Sequence, residues 1–369
     1  MIGSSKIFIF LFFAGFVFAD FNRIAYDRHN EGVLNSFGVS GSYLAKLQEK
    51  TITNPNRLHN RWDFFLEQFD NGYEFIPVLR SIMVEAGIPQ EFLFLAMAES
   101  GFSTRAYSVK KAAGIWQIMP KTAKELKLKI NDYIDERRDP IKSTQAAAKY
   151  LRYLYQNTGE WYLAAMAYNC GLGRLKNAIK KAGSNDIEIL LDEEKKYLPR
   201  ETRGYIRMIL EMSLAFNNYE RFQDVDKKYL LNRGAADSIV GVKVNSGTTL
   251  EYIAEQLDMS LVDLKKYNRQ FRYDFLPPGK GDYTVYVPYE KLATFKQSYV
   301  PDTNPNRFFV FHEIKKGDTL YGLSRKYRVS IEDIKRANQM DKVSLRVKQK
   351  IIIPMLRQDY KKVANKGNL

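Results

Sequence analysis

Apolar positions recur at helical spacing through the middle of the chain, and the pattern changes near residue 220. The spacing predicts helices over Arg57 to Phe69, stopped by Asn71-Gly72, and over Phe75 to Ala86, stopped by Gly87, with Pro89 opening the next. Asp139-Pro140 opens another that runs through Ala146-Ala147-Ala148 to about Asn157, where Gly159 closes it. Trp161 to Asn169, Arg174 to Lys181 and Arg203 to Asn217 complete the series. Proline suits the first turn of a helix, and glycine suits the left-handed residue just past its end. No strand-type alternation competes, so residues 55–220 read as an all-α domain. Residues 20–54 are polar and aperiodic and read as a lead-in.

Beyond residue 220 the chain repeats itself. Gly247-Thr248-Thr249-Leu250 returns 70 positions later as Gly317-Asp318-Thr319-Leu320. At the same offset Asp263-Leu264-Lys265 matches Asp333-Ile334-Lys335, and Asn268 matches Asn338. Each copy ends in a β-prone run before proline, Tyr283 to Pro288 and Lys350 to Pro354. The pattern predicts two small β-α-α-β units, each with a two-stranded sheet. Thr248 and Asp318 are expected to cap the first helix of each copy, and Ser260 and Ser330 the second. The loop after the first strand and the loop before the last would lie side by side and form a shallow groove. The first copy is four residues longer before its closing proline.

The N-terminal pattern predicts that this architecture is exported from the cytoplasm. Lys6 precedes an apolar run from Ile7 to Phe18, and Val17-Phe18-Ala19 suits cleavage before Asp20. The run is short for a membrane span, so it reads as an export signal; an uncleaved anchor is the alternative. Of 369 residues 45% are hydrophobic, ample for packed cores, and Cys170 is the single cysteine, which excludes an intrachain disulfide. The net charge of +15 favours anionic partners. With export, that points to an acidic wall polymer or a membrane surface rather than to nucleic acid.

Candidate chemistry centres on Glu99. It ends the apolar run Phe92 to Ala98, and Gly101 follows. A low-dielectric setting disfavours a charged carboxyl and suits a proton donor near neutral pH. The plainer alternative is a helix-end acid in a surface ion pair. Three further clusters accompany it: Gly114-Ile115-Trp116-Gln117-Ile118-Met119-Pro120, Ala167-Tyr168-Asn169-Cys170-Gly171 and Glu201-Thr202-Arg203-Gly204-Tyr205. Trp116 and Met119 also suit a core, Asn169 a helix C-cap and Tyr205 a buried tyrosine. Asp132, Asp135 and Asp139 lie in a charged stretch and make poor partners for Glu99. His59 and His312 have no metal-ligand spacing, and no metal or cofactor is expected.

The four clusters, in this order, resemble the catalytic domain of soluble-type lytic transglycosylases, which share a goose-lysozyme-like fold. The trailing repeats resemble LysM modules, which bind N-acetylglucosamine-containing glycans. The resemblance covers nearly the whole chain after residue 19. It implies a mainly α fold, with a helical catalytic domain followed by two β-α-α-β LysM modules. The resulting organisation is a signal peptide at 1–19, a lead-in at 20–54, the catalytic domain at 55–220, linkers at 221–238 and 289–308, a divergent LysM module at 239–288, a second at 309–356 and a basic tail at 357–369. The resemblance implies Glu99 as the catalytic acid, with Ser100, Gln117, Met119, Tyr168, Asn169 and Tyr205 lining a glycan cleft. It implies Gly317, Asp318, Thr319 and Asn338 as glycan-binding positions of the second module. The implied activity is cleavage of the β-1,4 bond between N-acetylmuramic acid and N-acetylglucosamine in peptidoglycan, forming 1,6-anhydromuramyl ends. A lysozyme-like hydrolase and an inactive wall-binding protein are the alternatives.

Overall fold

The computed structural model describes residues 30–44, 47, 67–217, 238–277, 281–301, 308–338, 340 and 344–355. The expected export segment, the basic tail, most of the helix expected at 57–69 and nearly all of the 221–238 linker lie outside the described residues. The chain divides into two compact units, residues 1–128 with 137–238, and residues 129–136 with 239–369.

The first unit is helical. Its principal helices are α1 (Ile76–Glu85), α2 (Leu93–Ser100), α3 (Pro120–Glu125), α4 (Pro140–Thr158), α5 (Trp161–Cys170), α6 (Leu172–Ala182), α7 (Ile187–Leu190) and α8 (Arg200–Asn217). The start of α4 follows its sequence signals: Asp139 accepts from the backbone N–H of Ile141 and Lys142, and Pro140 takes the first position. Gly159 ends it in the left-handed conformation. Alanines set the packing. α4 buries Ala146, Ala147 and Ala148, and α5 buries Ala164, Ala165 and Ala167. Small side chains let the two helices pack closely, while α5 also packs on α8, and α8 on α2. Residues 30–36 are helical, and Val33, Leu34 and Phe37 are buried in this unit.

The second unit holds both repeats. In the first, β1 (Ile239–Asn245) and β2 (Asp282–Pro288) pair antiparallel around α9 (Leu250–Gln256) and α10 (Leu261–Tyr267), with Val242 opposite Val285. After them comes α11 (Leu292–Ser298). In the second repeat, β3 (Phe308–Glu313) pairs with β4 (Lys350–Met355) around α12 (Leu320–Tyr327) and α13 (Ile331–Ala337). Each repeat has its own core, Val242, Leu250, Ile253, Leu264, Val285 and Val287 in one, and Val310, Leu320, Leu323, Ile334, Ile351 and Ile353 in the other. The unit also includes Lys129–Glu136. Ile134 joins the first repeat's core, and Asp135 N–H donates to the Gln270 carbonyl at 2.8 Å.

Two details differ from the sequence expectation. Thr249 and Thr319, not Thr248 and Asp318, cap the first helices, accepting from Tyr252 and Gly322 N–H. A cap must stand directly before the first helical residue so that its oxygen reaches the amides two and three positions on. Ser260 and Ser330 do cap the second helices, accepting from Asp263 and Asp333 N–H. The stretch 289–308, expected as a linker, contains α11, whose Leu292 and Phe295 pack with Tyr299 against the first repeat's core.

Candidate active site

Glu99 sits one residue from the end of α2, a helix that buries Leu93 to Met97. Gly101 then adopts φ 58°, and a side chain there would meet Gln68. The carboxyl is thus fixed at the end of an apolar helix, half-buried, where the helix's own C-terminal carbonyls also disfavour negative charge. Burial raises the Glu99 pKa to about 7; a hydrogen bond from Tyr205 opposes the shift, and the exposed Glu201 carboxylate adds to it. Tyr205 Oη donates to Glu99 Oε1 at 2.7 Å.

The segment 114–119 forms a turn that is bonded from several sides. Ser100 Oγ donates to the Ile115 carbonyl at 2.8 Å and accepts from Ser103 N–H. Arg137, itself buried, donates to the carbonyls of Lys111 at 2.6 Å and Ile118 at 3.1 Å. Trp116, fully buried, donates from Nε1 to Thr144 Oγ1 at 2.8 Å. Tyr168 Oη donates to the Trp116 carbonyl at 2.6 Å. Gly114 has φ 77°, and a Cβ there would overlap the Arg137 carbonyl oxygen. Gln117 adopts φ 44°, a strained value for a side chain of its type, and its Nε2 donates back to the Gly114 carbonyl at 2.9 Å. Such strain persists only where surrounding bonds over-determine the backbone, as these do. Met119 is 41% exposed, so the core-filling alternative does not hold for it, whereas it does hold for Trp116.

The other candidates come from α5 and α8. Tyr168 and Tyr205 are both held in their neutral form by burial and by the nearby Glu99 carboxyl, which raises each phenol pKa well above 10. Asn169 Oδ1 accepts from Thr202 Oγ1 at 2.8 Å. That bond fixes the amide's orientation and leaves its Nδ2 as the donor for a ligand. Thr202 was not singled out from sequence, although it lies one helical turn before Tyr205 on α8 and is buried. The same helix is anchored by Arg203 and Arg207, which both bond Glu193; the two guanidinium groups lower its pKa to about 2.

The structure brings Glu99, Tyr205 and Tyr168 together, joins Ser100 and Tyr168 to the 114–119 turn, and sets Asn169 against Thr202. The Ser100 hydroxyl bonds the Ile115 carbonyl and Ser103 N–H, which holds it at the turn. Of the other acids, Asp139 is a helix cap, while Asp132 and Asp135 belong to the second unit and face Lys350 and Arg272. Asp135 and Asp139 are buried rather than placed on a charged surface.

In the second repeat, Gly317 has φ 95° and Thr319 is the helix cap. Asp318 Oδ2 accepts from Lys315 N–H and lies 2.7 Å from His312 Nε2. Asn338 differs from the glycan contact expected of it. Its Nδ2 donates to the carbonyls of Ile334 and Ile352, and its Oδ1 accepts from Ile352 N–H. Asn268 makes the same clamp in the first repeat, between Leu264 and Tyr286. The asparagine recurs because it ties the second helix to the last strand. Among the described residues no cluster of His, Cys, Asp or Glu side chains is arranged to hold a metal ion.

A helical domain carrying a buried acid, joined to two β-α-α-β repeats, agrees with the family matches. Residues 84–191 match the transglycosylase SLT domain, residues 238–302 the LysM-like domain of lytic transglycosylase MltD, and residues 312–354 the LysM domain. The chain is homologous to membrane-bound lytic murein transglycosylase D of Escherichia coli strain K12, with 29% identity over 283 residues that make up 72% of this chain and 60% of that protein. It is also homologous to the soluble lytic murein transglycosylase of the same strain, with 28% identity over 46% of this chain and 26% of that protein. The chain therefore spans less than two thirds of the length of either relative. The crystal structure of the 70-kDa soluble lytic transglycosylase from Escherichia coli aligns with a TM-score of 0.30 at 25% identity, over 38% of this chain and 23% of that one.

Proposed function

We propose that the chain is a peptidoglycan lytic transglycosylase in which Glu99 acts alone as acid and then as base. The observation that carries this reading is the Glu99 carboxyl, protonated up to about pH 7 by burial and oriented by Tyr205, within the segment that matches the SLT domain. In the first step Glu99 protonates the glycosidic oxygen of the β-1,4 bond between N-acetylmuramic acid and N-acetylglucosamine. The C1–O bond breaks, and the substrate's 2-acetamido group stabilises the cationic centre. The Glu99 carboxylate then removes the proton of the muramyl C6 hydroxyl, whose oxygen closes on C1 to give a 1,6-anhydro end. No water is consumed. Hydrolases of the common type need a second carboxylate flanking the bond. The acid that acts on Glu99 here is Glu201, which is exposed on the first turn of α8.

Asn169 Nδ2 and Gln117 Oε1 supply a donor and an acceptor for sugar amide and hydroxyl groups. The repeats tether the enzyme to the wall, and the net charge of +15 strengthens attraction to an anionic polymer. The residues before Asp20 direct export to the cell envelope. Among the described residues no helix is long and apolar enough to cross a membrane. The test is Glu99→Gln, assayed by release of soluble fragments from purified sacculi. General acid–base catalysis contributes about 10²–10⁴-fold, so the variant loses at least that much while retaining its fold and wall binding. Near-normal release by the variant contradicts the assignment.

A further inference from the structure

The two repeats share a fold but not a groove. In the second repeat the backbone bonds between the described parts of the two loops lie beside the strands, from Ile314 N–H to the Gln349 carbonyl and from Lys348 N–H to the Ile314 carbonyl, both at 2.8 Å. Lys315, Lys316, Gly317 and Thr319 are exposed, as are Ser344 and Arg346 in the facing loop. Among the described residues no backbone hydrogen bond joins 316–320 to 344–349. In the first repeat the equivalent loops are bonded to each other along their length. Ser246 N–H donates to the Gly281 carbonyl at 3.1 Å, Gly247 N–H to Pro277 at 3.2 Å, Leu250 N–H to Asp274 at 2.9 Å, and Leu276 N–H to Thr248 at 2.8 Å. Thr248, Phe275 and Leu276 are buried in this closure. The extra length of the first copy lies in this stretch, between Asn268 and Pro288.

The closing loop has acquired a second task. Its aromatic residues form a seat for the second repeat. The Phe275 ring stacks on Phe309 with centroids 4.1 Å apart and planes 19° from parallel, and Tyr273 lies 4.8 Å from Phe311. Phe309 and Phe311 both belong to β3. Stacked aromatic pairs of this kind contribute beyond their buried area.

We infer that the first repeat does not bind glycan: its own longer loop occupies its groove and serves as a docking surface for the second repeat, which alone contacts the wall polymer. Sugar recognition in a shallow groove needs unsatisfied backbone donors and acceptors at its rim, and the first repeat has used those of Gly247, Thr248 and Leu250 internally. The inference rests on the tethering role proposed above.

The experiment is a backbone amide NMR titration of the full chain with a soluble tetramer of N-acetylglucosamine. Shifts confined to residues 314–319 and 344–349, with none at 246–250 or 274–277, support the inference. Shifts at 246–250 or 274–277 overturn it while leaving the tether in place. Absence of shifts in both repeats overturns the tether and, with it, the assignment to the second repeat. Two variants sharpen the comparison. Lys316→Glu weakens binding about tenfold, and Asp274→Ala leaves it unchanged; the reverse order also overturns the inference. Hydrogen exchange of the free chain gives an independent check, with Leu250 and Leu276 amides protected and the Gly317 amide exchanging freely.

Discussion

Tyr205 and Glu99, 106 positions apart in the chain, are joined by a 2.7 Å hydrogen bond from phenol to carboxyl. The phenol is buried and stays protonated, so it donates in every catalytic state. Its bond favours the carboxylate, whereas burial favours the neutral acid, and burial wins. Tyr205→Phe removes the opposing contribution. The Glu99 pKa then rises further above about 7, and the alkaline limb of the activity profile moves to higher pH. A hydrogen bond to a charged group contributes about 1.5–3 kcal/mol, so the acid step, which creates the carboxylate, slows by roughly 10- to 100-fold. Steady-state kinetics on a soluble glycan across pH checks both effects.

With Glu99 as the proposed acid, activity is expected to follow its protonation in the unmodified chain as well. The first step needs the neutral acid, so kcat/KM is level at low pH and falls about tenfold per unit above pH 7. A flat profile to pH 9 contradicts the assignment of the acid.

The same shift appears in stability. The folded-state pKa of Glu99 lies above the ordinary value of 4.5, at about 7. A raised carboxyl pKa means that the folded state holds the proton more tightly than the unfolded state. Its contribution is therefore fully present below pH 4.5 and is lost as pH rises through 7. Glu99→Gln removes the cost of burying the charge. The variant is expected to match the wild type at pH 4 and to exceed it at pH 8 by on the order of 1–3 kcal/mol, read by denaturant unfolding at the two pH values.

Thr202 acts through Asn169. Its hydroxyl is the donor to Oδ1 at 2.8 Å, and without it the amide loses the bond that sets its orientation. Thr202→Val raises KM for soluble glycan about tenfold with a smaller change in kcat, in line with about 1–2 kcal/mol for one buried hydrogen bond. Thr202→Ser restores KM. A role confined to stability would lower the melting temperature of both variants and leave KM alone.

Asn338 is a clamp between α13 and β4. Asn338→Ala removes the side-chain bonds to Ile352 N–H and to the Ile334 and Ile352 carbonyls and destabilises the second repeat by about 2–3 kcal/mol. Cosedimentation with sacculi weakens, while cleavage of short soluble fragments is unchanged. Equal losses in both assays contradict a separate tether.

Much of this was legible in sequence because it is local. Gly101, Asp139-Pro140 and Gly159 mark helix ends by backbone preference, and each stands where expected. The 70-residue repeat exposed both small units. The caps were misplaced by one residue because Gly-Thr-Thr-Leu and Gly-Asp-Thr-Leu each offer two capping oxygens. Only contacts with Lys315 and His312 reveal that Asp318 is engaged elsewhere. Arg137 gripping Lys111 and Ile118, and Thr202 reaching Asn169, depend on which helices pack together. No periodicity along one segment carries that information. The LysM resemblance implies Asn338 as a glycan-binding position, and its recurrence as Asn268 does not say whether the constraint is structural or chemical.

The most direct measurement is the mass of the ends left on glycan strands digested to completion by the full chain. A single carboxyl that gives up one proton and takes back another from the C6 hydroxyl produces muramyl ends lighter by one water than hydrolysis products. Finding 1,6-anhydromuramyl ends is the predicted result; reducing muramic acid ends as the main product contradict it.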